Sequence, residues 1–221
     1  MTLLDEALAA HGGADALDDV AQLRVEVRAG GLAFTSHGLP AQVALSAAVD
    51  PHRPHVVFTD FLHLGRTAEF TAARVSVGDE DRDDPRARLG TKHPRWDELD
   101  LAYFCGYALW NYVTTPWLLT RATVRELPGR RLRATFPPGV PTHSRVQTFH
   151  FDAGGLLTRL DYTADVFGRW ARGAHVCADH RRFGPIVTPT RRRVTPRVAG
   201  RVMPGPTLVH LEILGIEPGR R

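Results

Sequence analysis

The sequence predicts an α+β protein in which a large, curved antiparallel β-sheet wraps around one apolar central helix. Three observations carry that expectation. Apolar and polar residues alternate with period two in roughly ten short segments, the signature of half-buried strands. Most of the turns between those segments contain Gly or Pro. Near mid-chain, one stretch breaks the alternation, carries helical spacing and is apolar on nearly every side. A sheet of that many strands has to twist and curl, and the apolar helix is what its concave face has available to wrap.

Taken in order, Leu3 to Ala10 reads as an amphipathic helix ended by His11-Gly12-Gly13, and Ala14 to Ala21 as a further turn or two of helix. From Gln22 the period becomes two: Leu23, Val25 and Val27 alternate with Arg24, Glu26 and Arg28. Gly30-Gly31 marks a turn, and strands are expected at 32–36, 42–49, 55–59 and 67–77. The acidic stretch 79–88 reads as a solvated, mobile loop. Helical spacing of Leu101, Phe104, Cys105, Ala108 and Leu109 places the central helix at about 97–113, with Pro116 beyond its end. Strands then resume at 123–126, 131–136, 145–151, 156–166, 174–183, 186–195 and 208–214. Asp152-Ala153-Gly154-Gly155 and Gly184-Pro185 supply hairpin turns. No internal repeat or long linker divides the chain, so residues 1–221 are expected to form one β-cup domain with an N-terminal helical segment at 3–21 and a helical insertion at 97–118.

Composition narrows the function classes. The chain has 221 residues, a net charge of +4 and a pI near 9.6, which invites a nucleic-acid reading. Against it, Lys92 is the single lysine, the arginines are spread through alternating strands, and no recognition helix, zinc spacing or aromatic RNA-binding signature accompanies them. No nucleic-acid partner is expected. Two cysteines, Cys105 and Cys177, are too few for a disulfide framework. The N-terminus lacks a basic region before its apolar residues, and no uncharged run is long enough to span a bilayer. A cytoplasmic location follows as the expectation, with homodimerisation left open.

Several phrases carry a resemblance: Ala10-His11-Gly12-Gly13 after an N-terminal helix, Leu160-Asp161-Tyr162-Thr163-Ala164-Asp165-Val166, and Pro189-Thr190-Arg191-Arg192-Arg193-Val194. With the long meander and its helical insertion, the order of elements resembles the LolA-like lipoprotein carriers. The resemblance implies an incomplete β-barrel closed by helices that holds acyl chains inside. It carries no functional residue onto this chain, and those carriers are exported, whereas this chain opens without a secretory signal.

The densest polar cluster lies in the last third. Strand alternation puts His175, Cys177 and Asp179 on one face and His180 on the other. Asp161, Thr163 and Asp165 share a face of the preceding strand, with Tyr162 opposite. Arg191 and Arg193 share a face of the following strand, and Thr190, Arg192 and Val194 the other. His143 stands at the entrance to an earlier strand. If these faces align, an acid–base site results: His175 as the proton-transfer group, Asp179 or Asp161 orienting it, Arg191 holding an anion, with His143 nearby. The bland alternative is the charged solvent face of an ordinary antiparallel sheet. His175, Cys177, Asp179 and His180 are also of zinc- and iron-ligand types, but no HExxH or CxxC spacing occurs, so no metal is expected. Gly-rich phosphate-binding patterns are absent and no cofactor is expected.

The central helix invites two readings as well. Its aromatics pack a core by default, yet Tyr103, Tyr107, Trp110 and Asn111 bring polar tips to one face. With Trp117 and Tyr162 they are expected to line a ligand pocket. Two functions follow: a cofactor-independent cyclase, isomerase or lyase acting on an apolar or aromatic metabolite, or a non-catalytic carrier of a lipid or other apolar ligand.

Overall fold

The computed structural model describes residues 1–86, 95–168 and 170–221. Helix α1 (Leu3–His11) starts at a capping box, in which Thr2 Oγ1 accepts from the Asp5 N–H while the Asp5 carboxylate accepts from that of Thr2. It ends at Gly12, whose φ of 130° suits glycine, and where a Cβ would run into the Pro185 carbonyl oxygen at 2.1 Å. The Ala-His-Gly phrase therefore lets the helix end sit directly on the β11–β12 hairpin described below.

A first run of strands comprises β1 (Val20–Gly30), β2 (Gln42–Asp50), β3 (His55–Thr59), β4 (Ala68–Thr71), β5 (Arg74–Val77) and β6 (Glu80–Asp83), with the short helix α2 (Leu32–Thr35) between β1 and β2. The central helix α3 (Glu98–Thr114) and a 3-10 turn (Trp117–Arg121) follow. The second run is β7 (Thr123–Leu127), β8 (Arg131–Thr135), β9 (Val146–Phe151), β10 (Leu157–Thr163), β11 (Arg172–Phe183), β12 (Ile186–Val198), β13 (Arg201–Val202) and β14 (Val209–Arg220). The described residues form one antiparallel sheet of fourteen strands, ordered β6-β5-β4-β3-β2-β1-β14-β12-β11-β10-β9-β8-β7, with β13 on β12. The first and last strands pair at its middle, and β6 and β7 remain as edges. It is the large, open, curved sheet that the alternation predicts, not a closed barrel.

Alternation decides the faces. Leu23, Val25 and Val27 of β1 are buried while Arg24, Glu26 and Arg28 are exposed. Every residue of α3 after Glu98 is buried, as its all-round apolarity requires. Gly106 is where it meets the sheet most closely: a Cβ there would lie 2.4 Å from Phe70 of β4.

Several local expectations give way. Residues 32–36 are not a strand: Gly31, at φ 124°, turns the chain, the N–H groups of Leu32 and Ala33 bond to Thr207 and Leu208, and Phe34 is driven into the core. Residues 67–77 fold back into two strands, β4 and β5. The stretch expected as a mobile loop at 79–88 contains β6, whose Arg82 is ion-paired to Asp97 and Asp100 at the head of α3; residues 87 and 88 of it lie outside the described residues. Residues 14–19 are turns before β1 starts at Val20, the strand expected to reach Val166 gives way to a 3-10 turn at Asp165–Phe167, and β14 continues to Arg220.

Candidate ligand cavity

Between α3 and the inner face of β10, β11, β12 and β14 lies a cavity of about 380 Å³. Its walls are almost entirely carbon. Phe104 and Tyr112 enter from α3, two turns apart. Tyr162, Gly173, Val194 and Val209 enter from the sheet, all inward-pointing by register. The mouth is built from α2 and Ser36–His37, from Ala164, Phe167, Trp170 and Ala171, and from Leu208.

Beneath the cavity is a buried polar core. His143 is held on its loop by its neighbours: Asn111 Nδ2 donates to the Pro141 carbonyl, Arg86 Nη1 to that of Thr142, and the Asp165 N–H to that of His143 itself. Its ring stacks on Tyr162 at 4.2 Å, with Nδ1 3.3 Å from the Tyr107 hydroxyl and Nε2 3.1 Å from that of Tyr112. His175 Nδ1 lies 3.5 Å from the Tyr162 hydroxyl, and its ring meets Tyr112 edge-on at 4.8 Å. Arg192, 2% exposed, stacks its guanidinium 4.6 Å from the centre of the Tyr112 ring. Burial, reinforced by Arg86 and Arg192, pushes His143 down to about 3. Burial likewise holds His175 well below its ordinary value, with Arg192 adding to the effect. Burial raises the hydroxyls of Tyr107, Tyr112 and Tyr162. At neutral pH the core is a set of neutral rings around one cation.

The expected site residues divide. His143, His175, Tyr107 and Tyr162 come together in this core. Asp179 does not join them: its φ of 55° breaks the alternation of β11, so its side chain turns outward to an exposed ion pair with Arg191 at 2.7 Å. The same break brings His180 inward, 5.9 Å from the ring of His11. Asp161 lies on the opposite face of β10 from the cavity, where its Oδ2 is hydrogen-bonded to His150 Nε2 at 3.0 Å and accepts from Arg159 Nη2 at 3.1 Å. Burial alone would raise its carboxyl, but His150, Arg159 and Arg197 outweigh it and hold it below the ordinary carboxylate value.

Of the expected pocket residues, Tyr162 lines the cavity. Tyr103 packs on Phe70 and Tyr107, and Asn111 serves the backbone of Tyr107 and Pro141. Trp110 and Trp117 line a separate hollow of about 150 Å³, where their indole N–H groups donate to the carbonyls of Asp50 and Gly13. A buried indole requires such an acceptor, and these two find theirs away from the cavity. Sequence reasoning passed over Phe104, Tyr112, Arg192, α2 and Trp170. Arg192 had a signal, because its strand face is shared with Thr190 and Val194.

No family model matches the chain, and no curated protein matches it. Among solved structures, a LolA superfamily protein from Nitrosomonas europaea superposes with a TM-score of 0.54 at 11% identity, covering 100% of this chain and 96% of that one. A DUF1329 family protein from Desulfovibrio piger gives 0.48 at 12% identity, covering 98% and 91%. The Mycobacterium tuberculosis lipoprotein LppX gives 0.28 at 12%, covering 99% and 97%. The fold of this chain is LolA-like.

Proposed function

We propose that the protein binds and carries an apolar small molecule in the cup between α3 and the sheet. The observation that supports this best is the carbon-walled cavity of about 380 Å³. A cavity of roughly 150 Å³ is enough for benzene, so this one suits a ligand larger than a single ring. The resemblance to LolA-like carriers points the same way. The acid–base alternative lacks its carboxylate and its arginine, since Asp179 and Arg191 pair on the outside and Asp161 faces away. Both nitrogens of His143 are taken up by tyrosine hydroxyls, which leaves neither pointed at a bound molecule.

The test is binding of an environment-sensitive apolar dye, with native mass spectrometry of the freshly purified protein to identify any co-purified organic ligand. Ala171→Phe, which pushes a ring into the cavity, is expected to weaken dye binding at least about tenfold by the cost of overfilling, while Asp179→Ala leaves it unchanged. Equal dye binding by wild type and Ala171→Phe would remove the cavity from the account.

A further inference from the structure

We propose that the mouth of the cavity docks on an anionic lipid bilayer. This rests on the reading of the cavity as an apolar-ligand site and names the surface with which it exchanges.

The mouth is lined from the short segments that carry Leu32 and Ala33, Ala164 and Phe167, and Trp170 and Ala171, and the β12–β13 hairpin adjoins it, since the Leu32 N–H bonds to the Thr207 carbonyl. On these short segments stand five of the ten large apolar side chains that are exposed among the described residues: Leu32, Trp170, Val198, Val202 and Met203. Trp170 is 81% exposed and Leu32 48%, although both line the cavity. Large apolar groups gathered at one opening mark an interaction surface rather than scatter, and an indole is the side chain best suited to a bilayer interface.

Charge selects the partner. The same segments carry Arg201, exposed on the hairpin, and Arg172, exposed beside Ala171 at the start of β11, whereas Arg197 is drawn to Asp161 at 3.7 Å on the far face of the sheet and is not part of the rim. Their single carboxylate, Asp165, is neutralised by Arg86 at 2.9 Å. Arg193 braces the hairpin loop from below, donating to Thr207 Oγ1 and to the Pro204 carbonyl. A braced apolar rim that, among the described residues, has unpaired cations and no free carboxylate complements anionic headgroups over acyl chains. An apolar ligand leaving the cavity would then pass from carbon wall to acyl region without crossing water.

The experiment is sedimentation with vesicles of phosphatidylcholine alone and of equimolar phosphatidylcholine and phosphatidylglycerol, with tryptophan emission read on the same samples. Trp96, Trp110 and Trp117 are buried, so a blue shift on vesicle addition reports Trp170. Binding is expected on the anionic vesicles with a blue shift. It should fall ~25-fold in the Arg172→Glu, Arg201→Glu double variant, about fivefold per arginine, and be abolished by Trp170→Ser with Leu32→Ser. Equal binding to both vesicle types, an unchanged affinity in the charge-reversed variant, or sedimentation without a blue shift would overturn the proposal. Dye binding without vesicles is run in parallel on the charge-reversed variant. If dye binds and vesicles do not, docking fails alone; if vesicles bind and dye does not, the cavity reading fails and the docking surface stands without a cargo.

Discussion

Arg192 is a buried cation with no carboxylate within ion-pair distance among the described residues, an expensive arrangement unless something offsets it. The offset comes from α3. The Tyr112 carbonyl near its C-terminus would look four residues on for a donor, and residue 116 is proline, which has none. Arg192 Nη2 donates to that carbonyl at 2.9 Å, Nη1 reaches Cys177 Sγ at 3.4 Å, and the guanidinium lies over the Tyr112 ring. The negative end of the helix dipole thus does the work of a counter-ion. Arg192→Met, similar in length, should destabilise by about 2–3 kcal/mol, the scale of a hydrogen bond to a charged group. Arg192→Lys should recover little, because an ammonium lacks the planar fork. A urea midpoint unchanged in Arg192→Met would show that burying the charge costs as much as its contacts return. The inward direction of Arg192 was legible from its flanking Thr190 and Val194. The outward turn of Asp179 was not, because strand alternation assumes ordinary φ, and an aspartate, though more tolerant of positive φ than most residues, does not by itself announce one within a strand.

At the scale of elements, α3 and β4 set two effects against each other at Gly106. Alanine there improves intrinsic helix propensity by up to about 1 kcal/mol. Its Cβ, however, would lie 2.4 Å from the Phe70 Cβ and Cγ, too close to Phe70's own attachment for a rotamer change to relieve. Overpacking of this kind costs about 1–3 kcal/mol. Gly106→Ala should therefore lower the thermal midpoint, and Gly106→Ala with Phe70→Ala, which removes the Cγ and the ring, should lower it by less than the two single changes combined. Additive losses would mean that the helix shifts rather than strains. The existence and burial of α3 were legible, since seventeen residues with almost no polar face allow little else. Four-residue α2 was not, because Leu32–Thr35 is too short for period two and period 3.6 to differ and is fixed by bonds to the distant Thr207 and Leu208. Likewise β6 looked like a solvated acidic run, and it is ordered by Arg82 reaching Asp97 and Asp100.

Across the whole molecule, the sheet's openness follows from its connectivity. The two edge strands are joined through α3, which occupies the concave side, while β1 and β14 pair at the centre. Antiparallel strands joined by short turns made that sheet predictable; the identity of the cavity wall was not, because it depends on which turn of α3 meets which strand. The same enclosure buries three histidines from three distant parts of the chain, giving stability a particular pH dependence. Burial, partly countered by a bond to the Ala7 carbonyl, lowers His11 to about 4; His143 falls to about 3, and His175 lies well below its ordinary value. In the unfolded chain each takes a proton near pH 6.5. Above that pH both states are neutral at these sites and nothing is lost. As pH falls below about 6.5, the unfolded state alone binds protons, so stability must decline, by roughly 1.4 kcal/mol per pH unit for each histidine. The decline should precede carboxylate effects such as that of Asp161, which begin near pH 4. Urea titrations from about pH 7.5 down to pH 4.5 should show a slope approaching three protons from these rings, with a smaller addition from half-buried His180, which burial also lowers, and the slope should fall by about one in His143→Gln. A flat profile over that range would mean that the three rings are protonated within the fold, and the neutral aromatic floor drawn beneath the cavity would have to be abandoned.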